Sequence, residues 1–291
     1  MKIIGTGLSG LVGSRVVELL GDKYSFEDIS RKTGTDIVDR QAVFDRLKNS
    51  SADIVFHFAA KTDVDGCEKD KALGENGEAW KINVTGTKNI IDACREFHKK
   101  LIFMSTDFVF SGNDTPVGGY KEEDTTNPIN WYGQTKLEAE KVIQKSGLSW
   151  CIVRIGTPYR AHFEKKDFVR LLLHLLQEGK EIKVVNDQKF NPTFIDDIAT
   201  ALHVLIEKDH TGIFHLLGSE TIIPYEGVLQ MAEMFGLDTN LIMPVSFQAF
   251  FKDRAKRPID LTMNNDKITR LGINMKGFKE GLEALKEQKV L

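Results

Sequence analysis

The sequence predicts an α/β protein with a Rossmann-type, doubly wound parallel sheet and a smaller, partly helical C-terminal region. Three observations lead to this prediction. Short β-branched runs alternate with helical patterns, a glycine-rich turn follows the first run, and several strands are apolar throughout, which suits a sheet covered on both faces. A chain of 291 residues can form one large α/β unit or about two modules.

The first half of the chain supplies the alternating pattern in order. Strands are predicted at KIIGTG, YSFEDIS, DIVFHFAA, KLIFMST and SWCIVRIG, and helices at LVGSRVVELL, AVFDRLKN, EAWKINVTGTKNIIDACREF and the segment that begins at Trp131. Such alternation is typical of right-handed βαβ units. We therefore predict a Rossmann domain over residues 1–156.

After residue 156 the regular alternation ends. Helices are predicted at 168–178, 200–207 and 225–235, with short strands at 182–185 and 213–217. We interpret residues 157–291 as a mainly substrate-binding region that packs over the strand ends, with segments that could return to the Rossmann sheet.

Composition and charge exclude several kinds of protein. The net charge of −3 offers no basic surplus for nucleic acid, and no apolar run approaches the roughly 20 residues of a membrane span. With no leader-like start, we expect a cytoplasmic protein. Cys67, Cys94 and Cys151 are odd in number and widely spaced, so neither a disulfide framework nor a zinc knuckle is expected. We assign no metal site.

The segment GTGLSGLVGS places Gly7, Gly10 and Gly13 between the first strand and the first helix. Glycines there allow a tight turn and let a pyrophosphate approach the helix N-terminus, where free N–H groups favour negative charge. The alternative is a glycine-rich turn that only allows close packing. The context favours dinucleotide binding.

The choice between nicotinamide cofactors is expected after the second strand, at DISRK. Ser30 and Arg31, with Lys32, suit a ribose 2′-phosphate, whereas Asp28 could instead hold a free 2′-hydroxyl. A solvated turn is the alternative. We predict NADP(H), with NADH left open.

Tyr132 and Lys136 in WYGQTKLEAEK lie one helical turn apart. A phenol has a pKa of about 10, so it serves as an acid near neutrality only where a nearby cation in an enclosed cleft stabilises its anion. It could then donate a proton to a carbonyl oxygen as hydride reaches the carbon. Ser105 and Thr106 in LIFMSTDFVFSG end a predicted strand and could hydrogen-bond the same oxygen. Each motif alone has an ordinary structural explanation, but their order along the chain favours catalysis.

Seven segments together resemble the extended short-chain dehydrogenases/reductases, and among them the dTDP-4-dehydrorhamnose reductases. They are the glycine loop, HFAAKTDVDGCE, INVTGTKNI, STDFVFSG, YGQTKLEAEK, NPTFIDDIA and KRPIDLTMNN. The resemblance implies NADPH-dependent reduction of the 4-keto group of a nucleotide-activated 6-deoxy sugar. It also implies a homodimer.

The resemblance implies roles for individual residues as well. Tyr132 would be the acid, Lys136 would hold the nicotinamide ribose and lower the tyrosine pKa, and Thr106 would be the third catalytic hydroxyl. The predicted cofactor contacts are Gly7, Gly10, Leu11, Ser30, Arg31, Asp36, Ile37, Ala59, Ala60, Asn83, Tyr132 and Lys136. The predicted substrate contacts are Thr62, Val64, Thr106 and Arg257.

Two departures from related sequences bear on the reaction. Related 4,6-dehydratases carry Thr-Asp-Glu where this chain has Thr106, Asp107 and Phe108, and phenylalanine cannot transfer a proton, so reduction is preferred over dehydration. Such reductases also commonly show a TSWVYG-like segment, whereas this chain reads RIGTPYR over residues 154–160. The sequence also resembles the non-catalytic regulatory subunit of methionine adenosyltransferase. That role, and a related nucleotide-sugar reductase or epimerase, remain the alternatives.

Overall fold

Twelve strands are present in the computed structural model, which describes residues 1–290. They are β1 Lys2–Thr6, β2 Ser25–Ile29, β3 Ile54–His57, β4 Lys100–Thr106, β5 Trp150–Ile155, β6 Pro158–Tyr159, β7 Ile182–Val185, β8 Lys189–Phe190, β9 Thr193–Phe194, β10 Gly212–His215, β11 Ile242–Val245 and β12 Asp260–Leu261. Six of them form one parallel sheet in the order β10-β5-β4-β3-β1-β2. Since β2 and β3 flank β1 on opposite sides, the strand order reverses there, and a ligand crevice is expected at the carboxyl ends of β1 and β3.

The α-helices within the described residues connect and cover these strands. They are α1 Leu11–Leu20, α2 Arg40–Lys48, α3 Val64–Asp70, α4 Glu78–Trp80, α5 Thr87–Glu96, α6 Trp131–Gln144, α7 Phe168–Gln177, α8 Ile195–Glu207, α9 Pro224–Phe235, α10 Phe247–Phe250, α11 Asp266–Thr269 and α12 Phe278–Glu287. None of them is long and apolar enough to cross a bilayer.

Alternating side chains of the sheet enter two separate cores. Ile3 and Phe56 pack with α1 and α8 on one face, while Ile4 and Val55 pack with α2 and α5 on the other. Because successive residues of a strand point to opposite faces, an apolar run is buried on both sides. The predicted doubly wound parallel sheet is confirmed.

The helix predicted from Glu78 to Phe97 consists of three segments. It begins as α4, passes through a π-helical turn at Lys81–Gly86 and continues as α5. Such π-helical turns are frequent at functional sites. This turn contains Asn83, whose amide is fully hydrogen-bonded as described below.

Two predicted elements beyond residue 156 differ from their observed counterparts. The strand predicted at 213–217 is β10, and it pairs with β5 in the large sheet, with Ile213 opposite Ile152. The helix predicted at 200–207 begins earlier, at Ile195, because Asp196 and Asp197 occupy its first turn, where carboxylates stabilise a helix N-terminus.

The rest of the C-terminal part has its own apolar core. Helices α7, α9 and α12 contribute Val169, Leu173, Val228, Met231 and Leu282, which pack around the strand pair β7 and β11. This region lies beside the carboxyl ends of β4 and β5, and its walls form a second cavity next to the crevice of the large sheet.

Candidate active site

The glycine loop brings the N-terminus of α1 to the crevice. Gly7 follows β1 with φ of +69°, a left-handed conformation that favours glycine, and a Cβ on it would lie 2.6 Å from the Ala59 nitrogen. A Cβ on Gly13 would overlap the carbonyl of Gly7. The two glycines therefore let the ends of β1 and β3 and the first turn of α1 meet closely. Gly10 begins the helix without any side-chain cap, which leaves its first N–H groups for a ligand.

A cavity of about 470 Å³ lies at this edge of the sheet. Ten predicted site residues line it together: Gly7, Gly10, Leu11, Ala59, Ala60, Thr62, Val64, Thr106, Tyr132 and Lys136. Other lining residues were not predicted, among them Phe58, Met104, Asp107, Ile155 and Thr157. The sequence signal for Asp107 was its position directly after the terminal residue of β4.

Two contacts orient α6 over the end of β4. The side chain of Asn130 caps the helix by accepting from the Gly133 nitrogen at 2.8 Å. A Cβ on Gly133 would overlap the carbonyl of Phe108, so the glycine allows α6 to pack directly on the turn after Thr106. As a result Tyr132 and Thr106 face the same cavity.

Tyr132 is 9% exposed, and burial raises the pKa of its phenol above the ordinary value. The nearby hydroxyl of Thr106 opposes that shift in the tyrosine pKa, while the charge of Asp107 adds to it. Lys136 is not among the groups that shift this pKa, and the predicted lowering of the tyrosine pKa by Lys136 stays a prediction.

Lys136 is held by the backbone of β4. Its Nζ donates to the carbonyl of Met104 at 2.7 Å and lies 4.0 Å from the ring centroid of Phe103. Burial lowers the pKa of the amine from 10.5 to about 7, against a smaller opposing effect of Glu140. The amine therefore extends from α6 to the backbone of β4 at the edge of the cavity.

Asn83 does not line the cavity, although a cofactor contact was predicted for it. Its side chain accepts from the Lys61 nitrogen at 2.8 Å and donates to the Lys61 carbonyl at 3.1 Å and to Thr135 at 2.9 Å. These bonds fix the segment after β3, which carries Ala59 and Ala60.

The residues predicted to select the cofactor lie after β2, outside the cavity lining. The hydroxyl of Ser30 donates to Asp28 at 2.6 Å, and the exposed Arg31 pairs with Asp36 at 2.9 Å. Ile37 is buried, and a Cβ on Gly86 would lie 2.7 Å from its Cδ1. Ile37 therefore packs against the helix that contains the π-helical turn.

A second cavity, of about 370 Å³, adjoins the first and shares Asp107, Phe108 and Thr157 with it. Its other lining residues are mostly apolar: Phe168, Leu171, Leu172, Val184, Val185, Phe190, Pro224, Phe250, Phe251 and Leu261, together with Lys183, Gln188 and Arg257. Arg257, a predicted substrate contact, lies here. Its guanidinium pairs with both carboxylate oxygens of Asp65, at 3.0 and 2.8 Å.

No group of three or more His, Cys, Asp or Glu side chains within residues 1–290 is arranged to hold a metal ion. His57 is fully buried between the hydroxyls of Thr6 and Thr87, at 2.7 and 2.9 Å. Burial lowers its pKa to about 3, so it is a neutral core residue at pH 7.

Comparisons with known proteins agree with this geometry. The family model for the RmlD substrate binding domain matches residues 1–290. A dTDP-4-dehydrorhamnose reductase of Escherichia coli K12 is 32% identical over 282 residues, which cover 92% of this chain and 91% of that protein. The methionine adenosyltransferase 2 subunit beta of Bos taurus is 26% identical over 306 residues, with coverages of 97% and 87%.

A solved structure shows the same similarity over the whole fold. The crystal structure of the Bacillus anthracis dTDP-4-dehydrorhamnose reductase in complex with NADP has a TM-score of 0.89 at 28% identity, covering 99% of each chain. The chain therefore belongs to the RmlD substrate binding domain family, within the NAD(P)-dependent oxidoreductases of the extended short-chain dehydrogenase/reductase type.

Proposed function

We propose that this protein reduces the 4-keto group of a nucleotide-activated 6-deoxy sugar with NADPH. The observation that carries the proposal is the convergence of Thr106, Tyr132 and Lys136 on one cavity that also exposes the glycine loop and the start of α1. Relatives that are named dTDP-4-dehydrorhamnose reductase support the same substrate class.

The residues around the glycine loop fit a dinucleotide. Gly7 and Gly13 occupy places where a Cβ would collide with backbone, and the uncapped N-terminus of α1 offers N–H donors to a pyrophosphate. Gly7, Gly10 and Leu11 would hold the pyrophosphate, with Ala59 and Ala60 beside it. Ser30 and Arg31 would contact a 2′-phosphate. When bound, NADPH supplies hydride to the sugar carbonyl carbon.

The protein supplies the proton and the orientation. Tyr132 donates its phenolic proton to the carbonyl oxygen, and the Thr106 hydroxyl hydrogen-bonds the same oxygen to fix its position. Thr62 and Val64 form the wall that faces the sugar ring. Arg257, in the adjoining cavity, contacts the nucleotide part of the substrate.

Reduction is favoured over dehydration because Phe108 lines both cavities where the related dehydratases carry glutamate. A phenyl ring offers no group for elimination. The ring lies 5.9 Å from that of Tyr132 and restricts the space beside the acid.

A substrate panel tests the proposal. Purified protein is mixed with NADPH or NADH and with dTDP- and UDP-linked 4-keto-6-deoxy sugars, and the loss of reduced-nicotinamide absorbance is followed. We expect turnover with NADPH and a dTDP sugar, and its loss in Tyr132→Phe. The matched control is Tyr24→Phe, because Tyr24 lies in the core near α8 and bonds His203 outside the cavity. Equal rates for wild type and Tyr132→Phe would exclude Tyr132 as the acid.

The second candidate is a regulatory subunit that binds NADP without turnover. It is favoured by the similarity to the Bos taurus methionine adenosyltransferase subunit and by the altered segment at residues 154–160. Binding of NADPH without oxidation by any sugar of the panel, together with co-purification of a methionine adenosyltransferase, would support this role.

A further inference from the structure

Gln188 is a polar residue of the second cavity to which the reaction described above gives no role. Apart from the residues that this cavity shares with the first, its walls are apolar except for Lys183, Gln188 and Arg257. The lysine and arginine side chains carry N–H donors and no acceptor. Among these unshared lining residues within 1–290, Gln188 therefore has the one side-chain oxygen that can accept a hydrogen bond from a ligand.

A backbone carbonyl fixes the orientation of the Gln188 amide. Its Nε2 donates to the carbonyl oxygen of Pro258 at 2.9 Å. Because a carbonyl oxygen only accepts hydrogen bonds, the nitrogen of the amide must face Pro258 and Oε1 must point away from it. Oε1 accepts no hydrogen bond from any residue that the structure describes. The amide therefore presents an acceptor of defined orientation at the cavity wall.

The two segments that carry this amide and its carbonyl partner are paired strands. Directly after Gln188, β8 pairs with β12, and the Lys189 nitrogen donates to the carbonyl of Ile259 at 2.8 Å. On the other side, the Asp260 nitrogen donates to the carbonyl of Gly112 at 3.2 Å. Since the backbone on both sides of the amide is hydrogen-bonded, little further ordering of the chain is needed when a ligand binds there.

The walls around Gln188 suit a flat heterocycle with apolar faces and a polar edge. The backbone nitrogen of Phe247 donates to Asp187 at 2.6 Å, which holds α10 and the following Phe251 beside the segment that contains Gln188. The Arg257 guanidinium lies 4.7 Å from the ring centroid of Phe251. Aromatic side chains form stacking surfaces for nucleobases, and a guanidinium binds phosphate oxygens. A nucleoside diphosphate combines both of these groups.

We propose that Oε1 of Gln188 accepts a hydrogen bond from the N3–H of a thymine or uracil base and thereby selects the nucleotide of the sugar substrate. The inference rests on the proposed function, with the sugar in the first cavity beside Tyr132 and the base in the second. Cytosine in the same position would set the lone pair of its N3 against Oε1, because its N3 carries no proton. Gln188 is then a specificity-determining residue that takes no part in the chemical step.

The test combines a change in the ligand with a change in the protein. Isothermal titration calorimetry in the presence of NADP⁺ measures Kd for dTDP, N3-methyl-dTDP and dCDP. In wild type, the last two should bind about tenfold more weakly than dTDP, because neither has an N3–H donor. Gln188→Met keeps the length of the side chain without an amide oxygen. This variant should bind dTDP about tenfold more weakly than wild type does, and it should bind dTDP and N3-methyl-dTDP equally.

The ratio of the two dissociation constants separates base recognition from a structural role. If Gln188 only supported the Pro258 segment, Gln188→Met would bind both ligands more weakly and keep the wild-type ratio. The matched control is Gln248→Met, because Gln248 is exposed on α10 and does not line the cavity. It should keep the wild-type values.

Three results would overturn the inference: no binding of dTDP to wild type, binding of N3-methyl-dTDP or dCDP to wild type as tightly as dTDP, or the wild-type ratio in Gln188→Met. None of these measurements needs turnover. A protein that shows the expected ratios but oxidises NADPH with no sugar nucleotide would instead contradict the proposed reduction and leave the recognition of the base standing.

Discussion

The ammonium group of Lys136 donates a hydrogen bond to the carbonyl oxygen of Met104 at 2.7 Å. Lys136 lies one helical turn after Tyr132. The bond to Met104 holds the amine at the end of β4, where it is 2% exposed and lies over the Phe103 ring. Met104 also lines the cavity, so the amine stands at the place where a cofactor ribose would lie in the proposed reaction. Burial lowers the pKa of this amine by more than the charge of Glu140 raises it.

Replacing Lys136 with methionine should change how stability depends on pH. The folded-state pKa is lowered from 10.5 to about 7, so between these values the unfolded chain binds more protons than the folded one. The free energy of unfolding of wild type should therefore rise with pH across this range, relative to Lys136→Met. Urea denaturation at several pH values within it measures the difference. Parallel curves for the two proteins would contradict the lowered pKa.

Arg31→Ala should weaken the binding of NADPH and leave the binding of NADH unchanged. Arg31 is exposed after β2, and its only ion-pair partner within residues 1–290 is Asp36. Loss of a charge-assisted bond to a 2′-phosphate should raise KM for NADPH about tenfold or more and leave KM for NADH unchanged. Arg40→Ala, which removes an exposed arginine on α2, is the matched control. An equal rise in KM for NADPH and for NADH would show that Arg31 does not contact the 2′-phosphate.

Arg257→Gln should weaken the binding of the nucleotide sugar without slowing the chemical step. The guanidinium lines the second cavity and pairs with Asp65, whereas Tyr132 lines the first cavity. We expect KM for the sugar to rise about tenfold while kcat is unchanged. Arg254→Gln serves as the control, because Arg254 belongs to the same segment but does not line the cavity. The ion pair between Arg257 and Asp65 is partly exposed, so its loss should lower the free energy of unfolding by less than about 1 kcal/mol. A fall in kcat with unaltered KM would place Arg257 elsewhere in the reaction.

Thr157→Gly should stabilise the fold. Thr157 has φ of +40°, a conformation that is strained for a β-branched residue by about 1 kcal/mol. Glycine adopts it freely, so thermal denaturation should show an equal or higher midpoint. The control Thr200→Gly, on the exposed side of α8, should lower stability by about 1 kcal/mol. If both variants lose the same stability, Thr157 carries no strain.

The order of strands and helices in the first half could be predicted because local patterns decide it. Apolar runs such as Ile102 to Met104 are buried on both faces, and the Gly7 turn follows β1 as expected. The pairing of β10 with β5 could not be predicted, since it joins segments far apart in the chain. The early start of α8 has a local signal in Asp196 and Asp197, since carboxylates stabilise the first turn of a helix.

The residues of the candidate site could be predicted from local motifs, but the contacts between their side chains could not. The order of the motifs along the chain predicted that Thr106, Tyr132 and Lys136 share one site, and all three line one cavity. The order of the motifs did not predict the direction of the Lys136 amine, because that direction depends on the Met104 carbonyl. Likewise, the space that Gly156 leaves for Asp107 follows from the packing of β5 beside β4, which no local pattern encodes.

Transfer of deuterium to the sugar from NADPH that carries deuterium at both C4 positions tests the central proposal most directly. Wild type is incubated with a dTDP-linked 4-keto-6-deoxy sugar and the deuterated cofactor, and the product is examined by mass spectrometry and NMR. We expect one deuterium on C4 of the sugar, with no product from Tyr132→Phe. Product without deuterium at C4, or an equal yield from the variant, would contradict hydride transfer assisted by Tyr132.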